Sequence, residues 1–293
     1  MSLMNMDAAN YITTLDRIAP GSVEPQEYDF AVLDLASGDE LLEQIYAGMT
    51  NERIQWWSLF EGTDWQGAWA QGPVLIDCRN AASFRAQLVS QLESLPLGLV
   101  FNSEQSTEAL RQHLTSWICD HQAATGQLLR FYEPRMLAPL LSALSEQKRQ
   151  ALLAPGSHWY WHDGHRWREA PAVDEGLVED VEDDQLWVTQ QELQQAESFW
   201  LAVEACGYAD HYAAALASVE SPACWVFDCL KSARNTGFQK SEHMERWLRL
   251  AIQHGADFHL SEPFRSSLSR KDLITTERLI AMESNLEKSH ANA

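Results

Sequence analysis

Three histidines in a short aromatic stretch are the residues of this sequence best placed for metal chemistry. Residues 157–168 read Ser-His-Trp-Tyr-Trp-His-Asp-Gly-His-Arg-Trp-Arg and turn on the Asp-Gly pair at 163–164, a pair typical of two-residue hairpin loops. Such a loop places His162 directly across from His165, close enough to share a metal ion, with His158 four residues earlier on the same strand face. A closed site needs a third and a fourth ligand, and no cysteine is nearby in the sequence. Imidazoles on the exposed side of an aromatic hairpin are the competing interpretation, which we favour.

A lone cysteine is the other candidate for chemistry. Cys78 follows a predicted strand and precedes Arg79, and α/β enzymes often place reactive groups at strand ends. No histidine or glycine-rich turn flanks it. The sequence also lacks a Gly-x-Ser-x-Gly elbow, a phosphate-binding glycine loop ending in Lys, Gly-x-Gly-x-x-Gly and His-Glu-x-x-His. We therefore expect no enzyme activity and no cofactor, with a metal-dependent enzyme built on the hairpin histidines as the alternative.

The charge of the chain limits its partners. The formal net charge is −21, from 42 acidic and 21 basic residues, and residues 1–188 carry −17 of it. Nucleic-acid binding needs clustered Lys and Arg, so this charge argues against it. We expect an acidic protein that is soluble on its own account or matched to a basic protein partner. The sequence shows no secretion signal and no apolar run of about 18 residues that would cross a membrane. Five scattered cysteines favour reduced thiols, and we expect a cytoplasmic protein.

Short apolar runs alternate with amphipathic stretches through the first half of the chain. This alternation predicts an α/β N-terminal lobe, a mixed sheet with flanking helices, followed by a smaller all-α C-terminal lobe. The predicted strands are Phe30–Leu35, Gln55–Phe60, Pro73–Cys78, Leu97–Asn102, Leu128–Tyr132 and the two arms of the aromatic hairpin.

The same patterns divide the chain into four parts. We predict a loose leader at 1–28, an α/β domain at 29–170, an acidic linker at 171–188 and a helical domain at 189–293. Residues 174–184 hold seven acids and no base. Such a run is typical of a solvated linker, and docking of a basic partner surface is the alternative.

Tryptophan is the most conspicuous residue type, with 12 in the chain. One group lies at positions 56, 57, 65 and 69, and a second lies in the hairpin. Strand alternation places Trp159 and Trp161 on one face of the hairpin and Tyr160 on the other, so both faces are aromatic. Core packing is the default for a single tryptophan, but we expect some of this set to lie at an interface.

Six motifs between residues 30 and 168 resemble a known family. They are Val32-Leu33-Asp34, Trp57-Ser58-Leu59-Phe60-Glu61-Gly62-Thr63, Gly72-Pro73-Val74-Leu75-Ile76, Leu97-Gly98-Leu99-Val100-Phe101-Asn102-Ser103, Leu110-x-x-His113-Leu114 and Arg130-Phe131-Tyr132-Glu133-Pro134-Arg135. In this order they resemble the type VI secretion adaptors, which are effector chaperones. The family usually has Asp where Glu133 stands, and Glu133 still permits a helix N-cap or a pair with an arginine.

The resemblance implies a non-catalytic adaptor that holds a toxic effector protein in the cytoplasm and loads it onto the VgrG spike protein. The candidate partner-binding residues are Arg130, Tyr132, Glu133, Arg135, Trp159, Trp161 and Trp167. For the charged residues among them, an internal ion pair that fixes the turn is the competing interpretation. An immunity protein that neutralises a basic toxin is a further alternative function.

Overall fold

The computed structural model describes residues 7–38, 40–119, 128–170, 187–270 and 272–290. Within them the chain divides into two compact units: Thr13–Trp200, and residues 7–12 together with 201–290. The division falls inside a helix, whereas the sequence predicted it at the linker 171–188. Residues 171–186, which include the whole acidic run, lie outside the described residues, so the linker stays a prediction.

The first unit is built on a six-stranded sheet. Its strands are β1 (Phe30–Asp34), β2 (Gln55–Ser58), β3 (Pro73–Asp77), β4 (Gly98–Asn102), β5 (His158–His162) and β6 (Trp167–Ala170). Their spatial order is β2-β3-β1-β4-β5-β6, and every pairing among these strands is antiparallel. The predicted α/β class is confirmed, with an antiparallel sheet in place of a mixed one.

The antiparallel sheet follows from how the helices connect the strands. Helix α2 (Leu41–Asn51) joins β1 to β2, and α3 (Ala82–Ser94) joins β3 to β4. Each helix connects two strands that run the same way, but one antiparallel strand lies between them. This is the ferredoxin-like β-α-β-β-α-β arrangement. A helix that connects two strands indicates that those two strands run in the same direction, but it does not show whether another strand lies between them. The mixed-sheet prediction was wrong because such a strand separates each pair of parallel strands.

One face of the sheet packs against α2 and α3. Its strand residues include Leu33, Ile76 and Val100, and the helices contribute Ile45 and Leu88, all buried in one cluster. These positions follow the two-residue period of strands and the helical period of an apolar stripe. This core fixes where α2 lies beside the first strands of the sheet.

The opposite face carries an aromatic core. Phe30 stacks on Phe101 with ring centroids 5.6 Å apart, and Phe101 stacks on Trp159 at 4.3 Å. The indole Nε1 of Trp159 donates to the carbonyl of Leu153 at 3.1 Å. Among the described residues, three helices come between β4 and β5 in the chain: α4 (Thr107–Cys119), α5 (Pro134–Ala143) and α6 (Glu146–Leu153). Strands β1, β3 and β4 are buried on both faces, which an antiparallel sheet does not require.

The β5–β6 hairpin has a four-residue loop, because His162 pairs with Trp167 across the strands. The amide of Asp163 donates to the carbonyl of Arg166 at 3.0 Å. The Asp163 carboxylate accepts from the amides of His165 and Arg166, both at 2.9 Å. The predicted two-residue loop with His162 facing His165 was wrong, since the buried Asp163 side chain closes a longer turn.

The predicted strand Leu128–Tyr132 is a loop and turn. The amide of Leu129 donates to the carbonyl of Ile118 in α4 at 3.1 Å, and the amide of Glu133 donates to the carbonyl of Arg130 at 3.1 Å. Both positions beside β4 are already filled by β1 and β5. The segment therefore bonds to a helix end and to itself, outside the sheet.

The segment 1–28, predicted as a loose leader, contains helix α1 (Ala8–Ile18). Residues 20–22 then run along the outer edge of β6. There the amide of Ser22 donates to the carbonyl of Trp167 at 2.9 Å. One edge of the sheet is covered in this way by the chain itself.

The C-terminal region is helical in its described part, as predicted. Its helices are α7 (Gln190–His211), α8 (Pro222–Asn235), α9 (Ser241–His254), α10 (Phe264–Leu268) and α11 (Thr275–His290). Buried Trp247 packs against Phe238 and Phe258 at centroid distances of 5.2 and 4.9 Å. Helix α9 ends at Gly255 with a positive φ, as expected of a glycine C-cap. Among the described helices, none has both the length and the apolar character needed to cross a membrane.

Candidate partner-binding site

The three hairpin tryptophans that the sequence put forward as partner anchors lie in the core. Trp159, Trp161 and Trp167 are 1%, 0% and 6% exposed. Trp167 also donates from its indole Nε1 to a carboxylate oxygen of Glu93 at 2.9 Å. Because all three side chains are buried, these indoles present no surface to a partner in this fold, and they are not part of the candidate site.

Arg130 and Tyr132 form a small charged and aromatic unit at the end of β1. Arg130 Nη2 donates to Asp34 Oδ2 at 2.6 Å, and its guanidinium carbon lies 5.8 Å from the centre of the Tyr132 ring. Burial, followed by the charge of Asp34, raises the pKa of Tyr132 above its ordinary value. The Arg130 side chain remains 53% exposed while that of Asp34 is 5% exposed. This is the internal ion pair expected of a fixed turn, and a contact role for Arg130 stays a prediction.

Glu133 and Arg135 fix the start of α5. The Glu133 carboxylate accepts from the backbone amide of Arg135 at 3.4 Å and from its side-chain Nε at 3.0 Å. Glu133 is therefore both the N-cap and the ion-pair partner that its position permits. A Cβ on Gly164 would lie 3.8 Å from Arg135 Cγ, so the hairpin loop and the start of α5 are adjacent. The fold brings these predicted residues together, and their binding role is untested.

His158 and His162 of the hairpin each pack against a different aromatic ring. His162 lies edge-on to Trp167 with centroids 5.6 Å apart, and exposed His158 stacks on Tyr160 at 6.2 Å. Burial lowers the pKa of His162, and the opposing effect of the Asp163 charge is smaller. Across the ranges that the structure describes, no group of three or more His, Cys, Asp or Glu side chains could hold a metal ion.

Cys78 is sealed inside the first unit. Its side chain is 0% exposed, and burial, with a smaller effect of the Asp77 charge, raises its thiol pKa. Arg79 donates to Asp77 at 2.5 Å instead of assisting the thiol. A thiolate nucleophile at this strand end is inconsistent with these contacts.

Exposed aromatic side chains gather instead at β2, the outermost strand. Tyr46 and Trp69 are 48% and 36% exposed, while Trp56 and Trp57 are half-buried. The Trp56 ring lies 6.2 Å from the ring of Tyr46 and 5.9 Å from that of Trp69. We call these four residues the edge cluster. Exposed Met49 accepts from the Trp56 indole at 3.2 Å and extends the apolar surface.

Local sequence explains how α2 and β2 present these side chains. In α2 the positions of Ile45 and Gly48 are buried, which turns Tyr46 and Met49, three residues apart, outward. In β2, Trp56 packs towards the core that contains α2. Strand alternation then sends Trp57 to the opposite face.

The connection between β2 and β3 positions Trp69 on the 3₁₀ helix Gln66–Gln71. Thr115 Oγ1 donates to the carbonyl of Leu59 at 3.0 Å and ties the start of the connection to α4. At its other end, a Cβ on Gly72 would lie 2.3 Å from the Phe60 ring, so only glycine allows this close approach. Both ends of the connection are therefore held.

A cavity of about 410 Å³ runs along this edge of the sheet, lined by the edge cluster with Ser58, Glu61 and Gln66. Because Trp56 and Trp57 point to opposite faces, a cavity that both line lies at the strand edge itself. Its volume is in the range of protein binding pockets, which are concave and rich in aromatic side chains.

The charge around this cavity is acidic. Residues 41–72 contain four acids, Glu43, Glu52, Glu61 and Asp64, and one base, Arg53. Arg111 of α4 donates from its Nη2 to one oxygen of Glu61 at 2.9 Å. The Glu61 side chain is nevertheless 57% exposed. A basic partner segment would meet complementary charge here.

Residues 30–151 match the family model described as Domain of unknown function (DUF4123). The matched DUF4123 segment covers less than half of the chain. It begins at β1 and ends within α6, so it contains the whole edge cluster, while β5, β6 and the second unit lie outside it. No curated protein and no solved structure matches the chain.

Sequence reasoning noted the first tryptophan group without placing it at a site. It missed Tyr46 and Met49 altogether. The available signal was an exposed apolar pair three residues apart on a helix, followed closely by adjacent tryptophans at 56 and 57. What sequence could not supply was the order of the strands, which makes β2 an edge.

Proposed function

We propose that this chain is a non-catalytic adaptor that binds a type VI secretion effector in the cytoplasm and loads it onto the VgrG spike. The observation that carries the proposal is the edge cluster: aromatic side chains grouped and exposed at an open sheet edge. Exposed apolar patches rimmed by polar residues mark protein interaction sites, and Trp and Tyr are the residue types that dominate binding energy there. The match of residues 30–151 and the six motifs support the same function.

The acidic surface supports a protein partner over a nucleic acid. With a net charge of −21, the chain repels phosphate backbones and attracts basic proteins. Arg130 and Arg135, the candidate residues that the sequence predicted and that remain exposed, lie apart from the edge cluster in the chain and are the second surface to test. An adaptor needs two contacts, one for the effector and one for the spike.

Co-expression tests the proposal. The chain is produced together with a candidate toxin and a candidate VgrG from the same genome, and complexes are separated by size-exclusion chromatography. We expect the chain to bind the toxin through a segment outside its toxic domain and to bind VgrG as well. Binding to the toxic domain alone would indicate an immunity protein. If neither protein binds, the adaptor proposal is wrong.

A further inference from the structure

We propose that the outer edge of β2 and the edge cluster bind an extended basic segment of the partner polypeptide. The segment adds a strand beside β2 and places a Lys or Arg side chain against the rings of Trp56 and Trp69. This inference rests on the proposed adaptor function and specifies the chemistry of the segment that is recognised.

Backbone groups at the outer edge of β2 are oriented to accept a further strand. The amide of Leu59 donates to the carbonyl of Pro73 at 3.0 Å, and the register places Trp57 opposite Leu75. Hydrogen-bonded and non-bonded pairs alternate along an antiparallel ladder. Trp57 is therefore the residue that bonds to β3, and the amide and carbonyl of Trp56 point away from β3 to the open edge. An added strand binds to such groups by β-augmentation.

The two outer edges of the sheet differ in what lies beside them. At β6, residues 20–22 cover the edge and bond to it. At β2 the outer edge faces the cavity of about 410 Å³. Residues 55–58 (Gln-Trp-Trp-Ser) contain no proline or charge, which are the usual devices that keep an edge strand from pairing. An edge without these devices, next to exposed aromatic rings, fits a strand-binding site.

The edge cluster specifies the side chain that the segment supplies. A residue placed opposite Trp56 on an added strand has its Cβ about 4.5–5.5 Å from that of Trp56, on the same face of the sheet. That position lies beside the Trp56 and Trp69 rings, which are 5.9 Å apart, and near Tyr46. Aromatic faces of this kind attract a Lys or Arg head group.

Charge selects the same partner. The chain from residue 41 to residue 72, which contains every residue that lines the cavity, supplies four acids (Glu43, Glu52, Glu61 and Asp64) against one base, Arg53. Arg111 occupies one oxygen of Glu61, yet more than half of the Glu61 side chain is exposed. An acidic segment would be repelled, and a purely apolar one would leave the carboxylates without a partner. We therefore commit to a basic strand as the occupant.

The test begins with an unbiased library of peptides about nine residues long, the length of a long strand. Peptides are selected for binding to the full chain and counter-selected against its Trp69→Ala variant. We expect the surviving peptides to carry a Lys or Arg between β-branched residues. Enrichment of acidic or helix-forming peptides, or survival of none, overturns the inference.

The selected peptide is then measured with matched variants. Trp69→Ala should weaken binding about tenfold, and Glu61→Gln about two- to fivefold with a reduced salt dependence. Trp65→Ala is the control, because Trp65 lies on the same connection but stacks on Phe60 and does not line the cavity. Equal losses in all three variants would show a general disturbance of the connection and overturn the site.

N-methylation of the peptide tests strand addition directly. Methyl groups on the amides of one peptide edge block its backbone donors, while methyl groups on the other edge serve as the control. One pattern should lower affinity at least about tenfold and the other should have little effect, because only one edge faces β2. Equal affinities for both patterns overturn the strand model.

The toxin pull-down separates the two proposals. If the wild-type chain retains the toxin and Trp69→Ala loses it, both stand. If both proteins retain it equally, the adaptor function stands and this site is refuted. If the wild type retains no toxin but selects basic strands, only the adaptor function fails. A chain that dimerises through β2, with the dimer abolished by Trp69→Ala, shows that a second copy is the occupant and refutes the basic segment.

Discussion

The ion pair between Asp163 and Arg168 is a point where a single substitution should strongly destabilise the fold. Both are 0% exposed, and Arg168 Nε donates to Asp163 Oδ2. Arg168 Nη1 also donates to the carbonyl of Ala19 at 2.7 Å. The pair therefore links the hairpin loop to the segment that covers the edge of β6. We predict that Asp163→Ala strongly destabilises the first unit.

The magnitude follows from what each substitution leaves behind. In Asp163→Ala the guanidinium of Arg168 stays buried, and the other carboxylate near it among the described residues is that of half-exposed Asp16, at 3.6 Å. Removing one partner of a buried pair costs about 3–5 kcal/mol of unfolding free energy. The amides of His165 and Arg166 also lose their acceptor. Replacing Arg168 by Met in the same protein removes the uncompensated charge, so the double variant should be more stable than Asp163→Ala.

Urea unfolding followed by circular dichroism, with amide hydrogen exchange in β5 and β6, measures the effect. Exchange is needed because a chain of two units need not unfold in one step. Arg270→Ala is the matched control, since Arg270 and Asp272 are 55% and 62% exposed and such an exposed ion pair should contribute little to stability. An Asp163→Ala variant within about 1 kcal/mol of wild type, or a double variant less stable than it, would refute the reasoning.

The same pair predicts a pH dependence. Burial alone raises the pKa of Asp163, but the charge and hydrogen bond of Arg168 and two backbone amides outweigh it, so the net pKa is lowered. A lowered pKa stabilises the fold above the unfolded value of about 3.9, and this contribution is lost as the pH falls through the folded pKa. The stability difference between wild type and Asp163→Asn should therefore be constant near neutral pH and shrink below about pH 4.

Two further substitutions and labelling experiments test the core. Gly98→Ala should lower the free energy of unfolding by at least about 4 kcal/mol, because Gly98 has φ +152° and a Cβ there would lie 2.0 Å from the Val32 carbonyl oxygen. Gly67→Ala is the control. A Cβ on Gly67 would have no atom within 4 Å, so this variant should change the free energy of unfolding by less than about 1 kcal/mol in the same urea experiment. Cys78 should resist iodoacetamide at about pH 8 while part-buried Cys224 reacts, because burial strongly raises the pKa of the Cys78 thiol. Mass spectrometry measures the labelled fraction of each cysteine, and equal labelling of Cys78 and Cys224 would contradict the burial of Cys78.

Local pattern carried much of the fold prediction. The apolar runs at β1, β3 and β4 are buried strands within about one residue of the predicted bounds. The Glu133-Pro134 pair opens a helix as its chemistry predicts, with Glu133 as the N-cap and Pro134 in the first turn. These features depend on a few neighbouring residues, so a single sequence contains the information.

The failures share a non-local cause. Leu128–Tyr132 has the composition of a strand, but no free position beside β4 remains for it. The Asp163-Gly164 pair is typical of a two-residue loop, yet the buried bond from Arg168 draws Asp163 into a longer one. In the first case distant strands decide the outcome. In the second, Arg168 lies only five residues from Asp163, but its own position is fixed by a bond to the carbonyl of Ala19, 149 residues away.

The candidate site shows the same limit. By composition the hairpin tryptophans and the first tryptophan group look alike, and both resemble interface residues. The difference is the strand order: β5 lies inside the sheet and packs Trp159 on Phe101, whereas β2 is the outermost strand and leaves Trp69 and Tyr46 exposed. Since β2 reaches the edge only because β3 and β1 pair with each other, the proposed binding surface is a product of sheet topology. A partner that reads this surface must therefore recognise a strand edge together with its rings, and not the tryptophans alone.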